Sequence, residues 1–122
     1  MNFPTPEECT STFLRSTGYT SMQRQQIWKE RFLNKEISWR GTLQNCTEYE
    51  EQNLILISVD VPSGGGCVVW LFLEWPLSRR ATALSFKLGE RVLVKGAIKD
   101  KFEEHLENRI CISIRNGEVV RC

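Results

Sequence analysis

The stretch Cys67–Trp75, CVVWLFLEW, is apolar but for Glu74, its only charge. A strand points successive side chains to opposite faces. Alternation puts Cys67, Val69, Leu71, Leu73 and Trp75 on one side and Val68, Trp70, Phe72 and Glu74 on the other. The first side fills a core. The second presents two large rings that need a cover or a ligand.

Outward from this strand, period-two patterns recur. LILISVDV (54–61) precedes it across PSGGG, so the two strands pair as a hairpin. EISWRGTLQ (36–44) alternates Ile37, Trp39 and Leu43 with Ser38, Arg40, Thr42 and Gln44, and Gly41 in its middle signals a bulge or sharp bend. NCTEYEEQN (45–53) reads as an acidic turn. ERVLVKGAIKDKF (90–102) is a fourth strand with an interior glycine, Gly96, and RICISIRNGEVVRC (109–122) a fifth, in which Asn116-Gly117 signals a turn and a short return strand. PLSRRATALSF (76–86) is a connector with a short helix. EEHLEN (103–108) is a charged loop.

Two helical segments come first. In residues 5–17, Thr5 suits the N-cap, Pro6 the first helical position, and Glu7 and Glu8 the positive end of the dipole; Gly18 ends the run. Thr20 and Gln23 stand at capping-box spacing before a helix whose Ile27, Trp28, Phe32 and Leu33 form an apolar stripe. Residues 1–20 thus read as a helical extension and 21–122 as a helix followed by the five strands, within one domain.

The order of elements, with EISWRGTL in the first strand and FKLGERVLVKGAI (86–98) leading into the fourth, resembles the oligonucleotide/oligosaccharide-binding (OB) fold, and most of all the bacterial tRNA anticodon-like group. Gly89, Val92, Val94, Gly96 and Ile98 carry the second motif, and RICISI closes the pattern. The resemblance covers residues 22–119. It implies a mainly β, five-stranded Greek-key OB-fold barrel with one or two N-terminal helices. The inward residues are then Ile37, Trp39, Leu43, Ile55, Ile57, Val59, Val69, Leu71, Leu73, Val92, Val94, Ile98, Ile110, Ile112 and Ile114, with Leu54, Leu56, Trp70 and Phe72 outward. A slip of one residue would exchange the two sets.

OB folds bind ligands on the face of strands two and three. The resemblance therefore implies a site for single-stranded DNA or RNA in which Trp70 and Phe72 stack bases and Arg40, Lys95, Lys99, Arg109 and Arg115 meet the backbone, with binding that weakens steeply in salt. The acidic loops oppose this, since Glu48, Glu50 and Glu51 frame one side and Asp100, Glu103, Glu104 and Glu107 the other. The same apolar face also suits a protein partner or a homodimer. Alternatively, the Trp28/Phe32 stripe folds over it as a lid.

Composition narrows the remaining classes. The 122 residues carry 16 basic and 15 acidic side chains, too balanced for a strongly electrostatic polyanion binder. No apolar run has the ~20 residues of a membrane span, and the N-terminus lacks a basic region followed by an apolar one, so no membrane association and a cytoplasmic location are expected. The five cysteines (Cys9, Cys46, Cys67, Cys111, Cys122) show no C-x-x-C spacing, and the one histidine, His105, is distant from them; no metal or other cofactor is implied. No cysteine or serine stands beside a base as an activated nucleophile would, so catalysis is not expected. Ser63–Gly66 lacks the Lys-Ser/Thr of a phosphate loop and reads as a hairpin turn. Arg79 and Arg80 read as a solvent-facing turn of helix.

Overall fold

The computed structural model describes residues 3–13, 18–102 and 109–122. The loop 103–108, with His105, Glu103, Glu104 and Glu107, lies outside the described residues. Five strands, β1 (Glu36–Tyr49), β2 (Leu54–Pro62), β3 (Val68–Pro76), β4 (Arg91–Phe102) and β5 (Arg109–Arg121), close in the order β1-β2-β3-β5-β4. All neighbours are antiparallel except β3 and β5, which run parallel from Val68↔Arg109 to Leu73↔Ile114. This is a five-stranded Greek-key OB-fold barrel with helical N-terminal decoration.

Alternation decides the interior. All fifteen residues expected to point inward are buried, and Trp75 and Val61 join them. Fully burying each such side chain contributes about 1.5–3 kcal/mol against the entropy of ordering the chain. Strand β1 is long because it serves two neighbours: Glu36–Thr42 pairs with β4, and Thr42–Tyr49 with β2. Gly41 lies where the two ladders meet, and a Cβ there would collide with the Asp60 carbonyl and with Val59 Cγ1. The register is regular at Gly41 itself; the irregularity comes between Leu43 and Asn45.

Two sequence expectations are corrected. The acidic segment 45–53 is not all turn: β1 continues through Tyr49, and only residues 50–53 turn, with Asn53 at φ 57° and its N–H donating to the Glu50 carbonyl at 3.1 Å. Asn116-Gly117 makes no hairpin, for β5 runs through it unbroken. Lys95 pairs with Glu118 and Ala97 with Arg115, so Gly96 faces both Asn116 and Gly117. Asn116, at φ 53°, and Gly117 form a bulge that bends β5 away from β3 along β4. Trp75 Nε1 fixes the bend by donating to the Gly117 carbonyl at 2.8 Å.

Helices close the two barrel mouths. At one, α1 (Pro6–Phe13) and α2 (Ser21–Ile27) lead into a π-helical turn, Trp28–Phe32, closed by the Leu33 N–H donating to the Trp28 carbonyl. The capping box of Thr20 and Gln23 is formed in both directions. Trp28 and Phe32 stack at 5.9 Å with Phe13 edge-on to both, and join Cys9 and the barrel interior in one core. The apolar stripe therefore enters the barrel mouth instead of lying over Trp70 and Phe72. At the other mouth, a 3₁₀ turn (Leu77–Arg79) and α3 (Arg80–Leu84) bring Ala83 and Phe86 against the core. The Arg79 guanidinium lies 3.7 Å from the Trp75 ring centroid and grips Glu118 with two hydrogen bonds, while Arg80 pairs with Glu48 at 3.0 Å. Arg79 is therefore a packing residue, not the free cation its sequence setting suggests.

Candidate functional site

The outer surface of β2, β3 and β5 is built in rows. The β ladders align Thr42, Asp60, Trp70 and Cys111 across four strands, and Asn45, Ser58, Phe72 and Ser113 in the next row. Period two puts these side chains outside because their neighbours Val59, Val69, Leu71, Ile110 and Ile112 fill the barrel. Trp70 and Phe72 are half-buried, and their ring centroids are 4.8 Å apart at a 50° tilt. Being two residues apart on one strand, the rings lie side by side along the sheet in contact.

Arg109 completes this cluster. It opens β5 beside Val68, and its guanidinium carbon stands 4.5 Å from the Trp70 ring centroid, within cation–π range. On the opposite flank of Trp70, Asp60 projects from β2. Burial raises the Asp60 carboxyl above its ordinary range, and the Arg109 charge only partly offsets this. Among the described residues, Asp60 Oδ1 and Trp70 Nε1 are both buried without a hydrogen-bond partner, so a donor and an acceptor stand unmatched in the same row. Ser58 is buried between Asn45 and Phe72. The site thus combines two rings, one cation and one carboxyl of reduced acidity.

Of the seven residues expected from sequence, three come together: Trp70, Phe72 and Arg109. The other four lie elsewhere. Arg40 is exposed on β1 opposite Leu93 of β4. Lys95 is exposed on β4 between Ser38 and Glu118, and Glu118 is the carboxylate that Arg79 holds. Arg115 shares β5 with Arg109, but six residues of strand separate them by about 20 Å. Lys99 is exposed at the β4 irregularity between Ile98 and Asp100. Side-chain parity, on which these four were chosen, distinguishes outside from inside but not one side of a closed barrel from another. Asp60 and Ser58 were missed for a related reason: LILISVDV reads as buried strand, and only its register against β3 sets Asp60 beside Trp70.

No protein-family model matches the sequence, and no curated protein matches it. Among solved structures, the chain is similar to OBody AM3L15 bound to hen egg-white lysozyme, at 16% identity over 75% of this chain and 80% of that one, with a TM-score of 0.46. It is likewise similar to OBody AM3L09 bound to hen egg-white lysozyme, at 16% identity over 74% and 85%, with a TM-score of 0.47. The barrel assignment rests on the strand order and registers, not on these distant likenesses.

Proposed function

We propose that this barrel is a non-catalytic, cytoplasmic binding module whose β2–β3–β5 face takes single-stranded DNA or RNA. The observation that carries the proposal is the half-buried Arg109–Trp70–Phe72 cluster on the face that OB folds use for ligands. A base lies against the rings, contributing about 1–3 kcal/mol by stacking, and Arg109 meets the adjoining phosphate. The motif resemblance of residues 36–43 and 86–98 to the tRNA anticodon-like group favours the same class of ligand. Because Arg109 alone among the seven expected residues is a cation beside the rings, few counterions are released. A log–log salt slope of about −0.7 to −1.4, for one or two phosphates, replaces the steep dependence that five cations would give.

Intrinsic fluorescence provides the test. Trp28, Trp39 and Trp75 are buried, so quenching by an added oligothymidylate reports Trp70. Quenching that saturates at low salt, and is lost in Trp70→Ala with the fold intact, supports the proposal. Absence of any binding at low salt overturns it.

A second reading, a protein partner or homodimer on the same face, is favoured by Leu54 and Leu56, which lie half-buried on the outer side of β2. Light scattering separates the two: a dimer that Trp70→Ala dissociates, together with no oligonucleotide quenching, establishes self-association instead.

A further inference from the structure

A carboxyl group stands on the aromatic face beside the cation that would meet a phosphate. The ladders set Asp60 in a row that crosses the barrel wall: Arg91 of β4 aligns with Thr42 of β1, Thr42 with Asp60, Asp60 with Trp70, and Trp70 with Cys111. Neighbouring strands lie about 4.8 Å apart, so the β2 and β5 backbones flank Trp70 at a mutual distance of roughly 10 Å. Arg109 leans over the Trp70 ring from the β5 side, and its charge acts on the Asp60 carboxyl. Whatever Arg109 holds against the indole therefore meets the same carboxyl.

The surroundings let Asp60 change its charge. On its own strand it is the one ionisable residue. From β1 it is met by the neutral Thr42; the nearest charges on that side are Arg40 and, beyond β1, Arg91, both exposed. From β3 it is met by Trp70, with Glu74 exposed further along beside Leu56. From β5 come Arg109 and the Cys111 thiol. Of these charges, that of Arg109 favours the ionised form, and burial opposes it more strongly. Among the described residues, no donor bonds to Asp60 Oδ1, so no hydrogen bond there holds the carboxylate ionised.

We propose that Asp60 is a proton-operated control on nucleic-acid binding at this face. Ionised, it competes with ligand phosphate for Arg109 and repels the polyanion. Protonated, it does neither. Binding then draws a proton from solvent onto the carboxylate, and by linkage the ligand strengthens proton binding by the factor with which the proton strengthens ligand binding. Burial already holds the free carboxyl above the ordinary Asp range, and an adjoining phosphate raises it further. Affinity is therefore greatest below the free value, falls as pH rises from the free to the bound value, and then levels. The inference rests on the nucleic-acid reading of the face and adds its regulation.

The test titrates the intact chain and Asp60→Asn with a dye-labelled oligothymidylate, whose bases do not ionise in the range used. Anisotropy is read from about pH 4 to about pH 8, from the ordinary Asp value to well above it, with circular dichroism confirming the fold at each pH. Every other ionisable group is present in both proteins, so the ratio of variant to wild-type affinity isolates Asp60. The ratio should rise with pH by about threefold or more, as expected for one unit charge roughly 10 Å away at a dielectric between those of protein surface and water. In the wild type, the Asp60 carboxyl carbon resonance should titrate at higher pH with oligothymidylate than without it. A ratio that stays flat while both proteins bind overturns the inference and leaves the binding site standing, as does an Asp60 midpoint that saturating oligothymidylate does not move. Binding by neither protein at any pH overturns this inference and the nucleic-acid reading together.

Discussion

The guanidinium of Arg109 stands over the Trp70 ring at 4.5 Å, so the first residue of β5 and the third of β3 form one unit across the parallel pair. Their ladder positions are two residues out of step, since Arg109 aligns with Val68, and the long Arg side chain spans the offset. This contact shields part of the indole and places the site's charge next to its stacking surface. In Arg109→Ala, the Trp70 emission should shift to the red, and oligonucleotide affinity should fall about tenfold, as loss of a stacked cation and one phosphate contact implies. Arg115→Ala and Lys95→Ala should each leave the affinity within about twofold at moderate salt, where exposed charges at that distance are largely screened. A fluorescence titration of the three variants checks the ranking.

Asp60 titrates in the direction opposite to a salt-bridged carboxylate. Burial raises its folded pKa, so the folded chain keeps this proton longer than the unfolded chain does. Stability attached to the group is present below the ordinary Asp pKa and declines as pH rises through the raised value. Asp60→Asn removes the charge but keeps the shape. Thermal unfolding should therefore show the variant gaining on wild type with rising pH, with the gap levelling off once Asp60 is ionised. A gap that shrinks with rising pH would show that the Arg109 charge outweighs burial.

Gly117 touches Leu73 so closely that a Cβ would overlap the leucine side chain. Gly117→Ala should lower stability by about 1–3 kcal/mol, the usual cost of overpacking a well-filled interior. Gly41→Ala faces the β2 backbone, which yields less than a side chain does, and should cost at least as much. Chemical denaturation of both variants measures this. Gly64→Ala serves as the contrast: open space surrounds it, so its cost arises only from its φ of 88°.

Thiol reactivity should follow burial. Cys122 is exposed and should alkylate at once in the native protein. Cys46 is half-buried, with burial raising its thiol pKa, and should react more slowly. Cys9 is buried and pushed up to about 12 by burial, with Lys101 opposing, and should stay protected until unfolding, as should the buried Cys67 and Cys111. Mass spectrometry of timed labelling resolves all five.

The barrel was legible in the sequence because strand alternation is a strict period: Val69, Leu71 and Leu73 could not point inward without Trp70 and Phe72 pointing outward. What alternation does not encode is which strands become neighbours around a closed sheet. Lys95 and Arg109 have the same outward parity, yet one lies beside Glu118 and the other over Trp70. Asn116-Gly117 was legible as a bend but not as a bulge, because local turn chemistry is similar in both and only the facing Gly96 decides between them. The destination of Trp28 and Phe32 was hidden for the same reason. An apolar stripe shows that a helix must be buried, and its partners, Cys9 and the barrel mouth, are fixed by tertiary packing.

Strand β5 is the strand that lies between β3 and β4, pairing with β3 over Arg109–Ile114 and with β4 over Cys111–Arg121. During synthesis, β1 to β4 emerge first and hold two bare sheet borders until Arg109–Arg121 clears the ribosome. Closure must therefore wait for translation of this fifth strand, and a nascent chain stalled before it would be a template for misassembly with its neighbours on the same messenger.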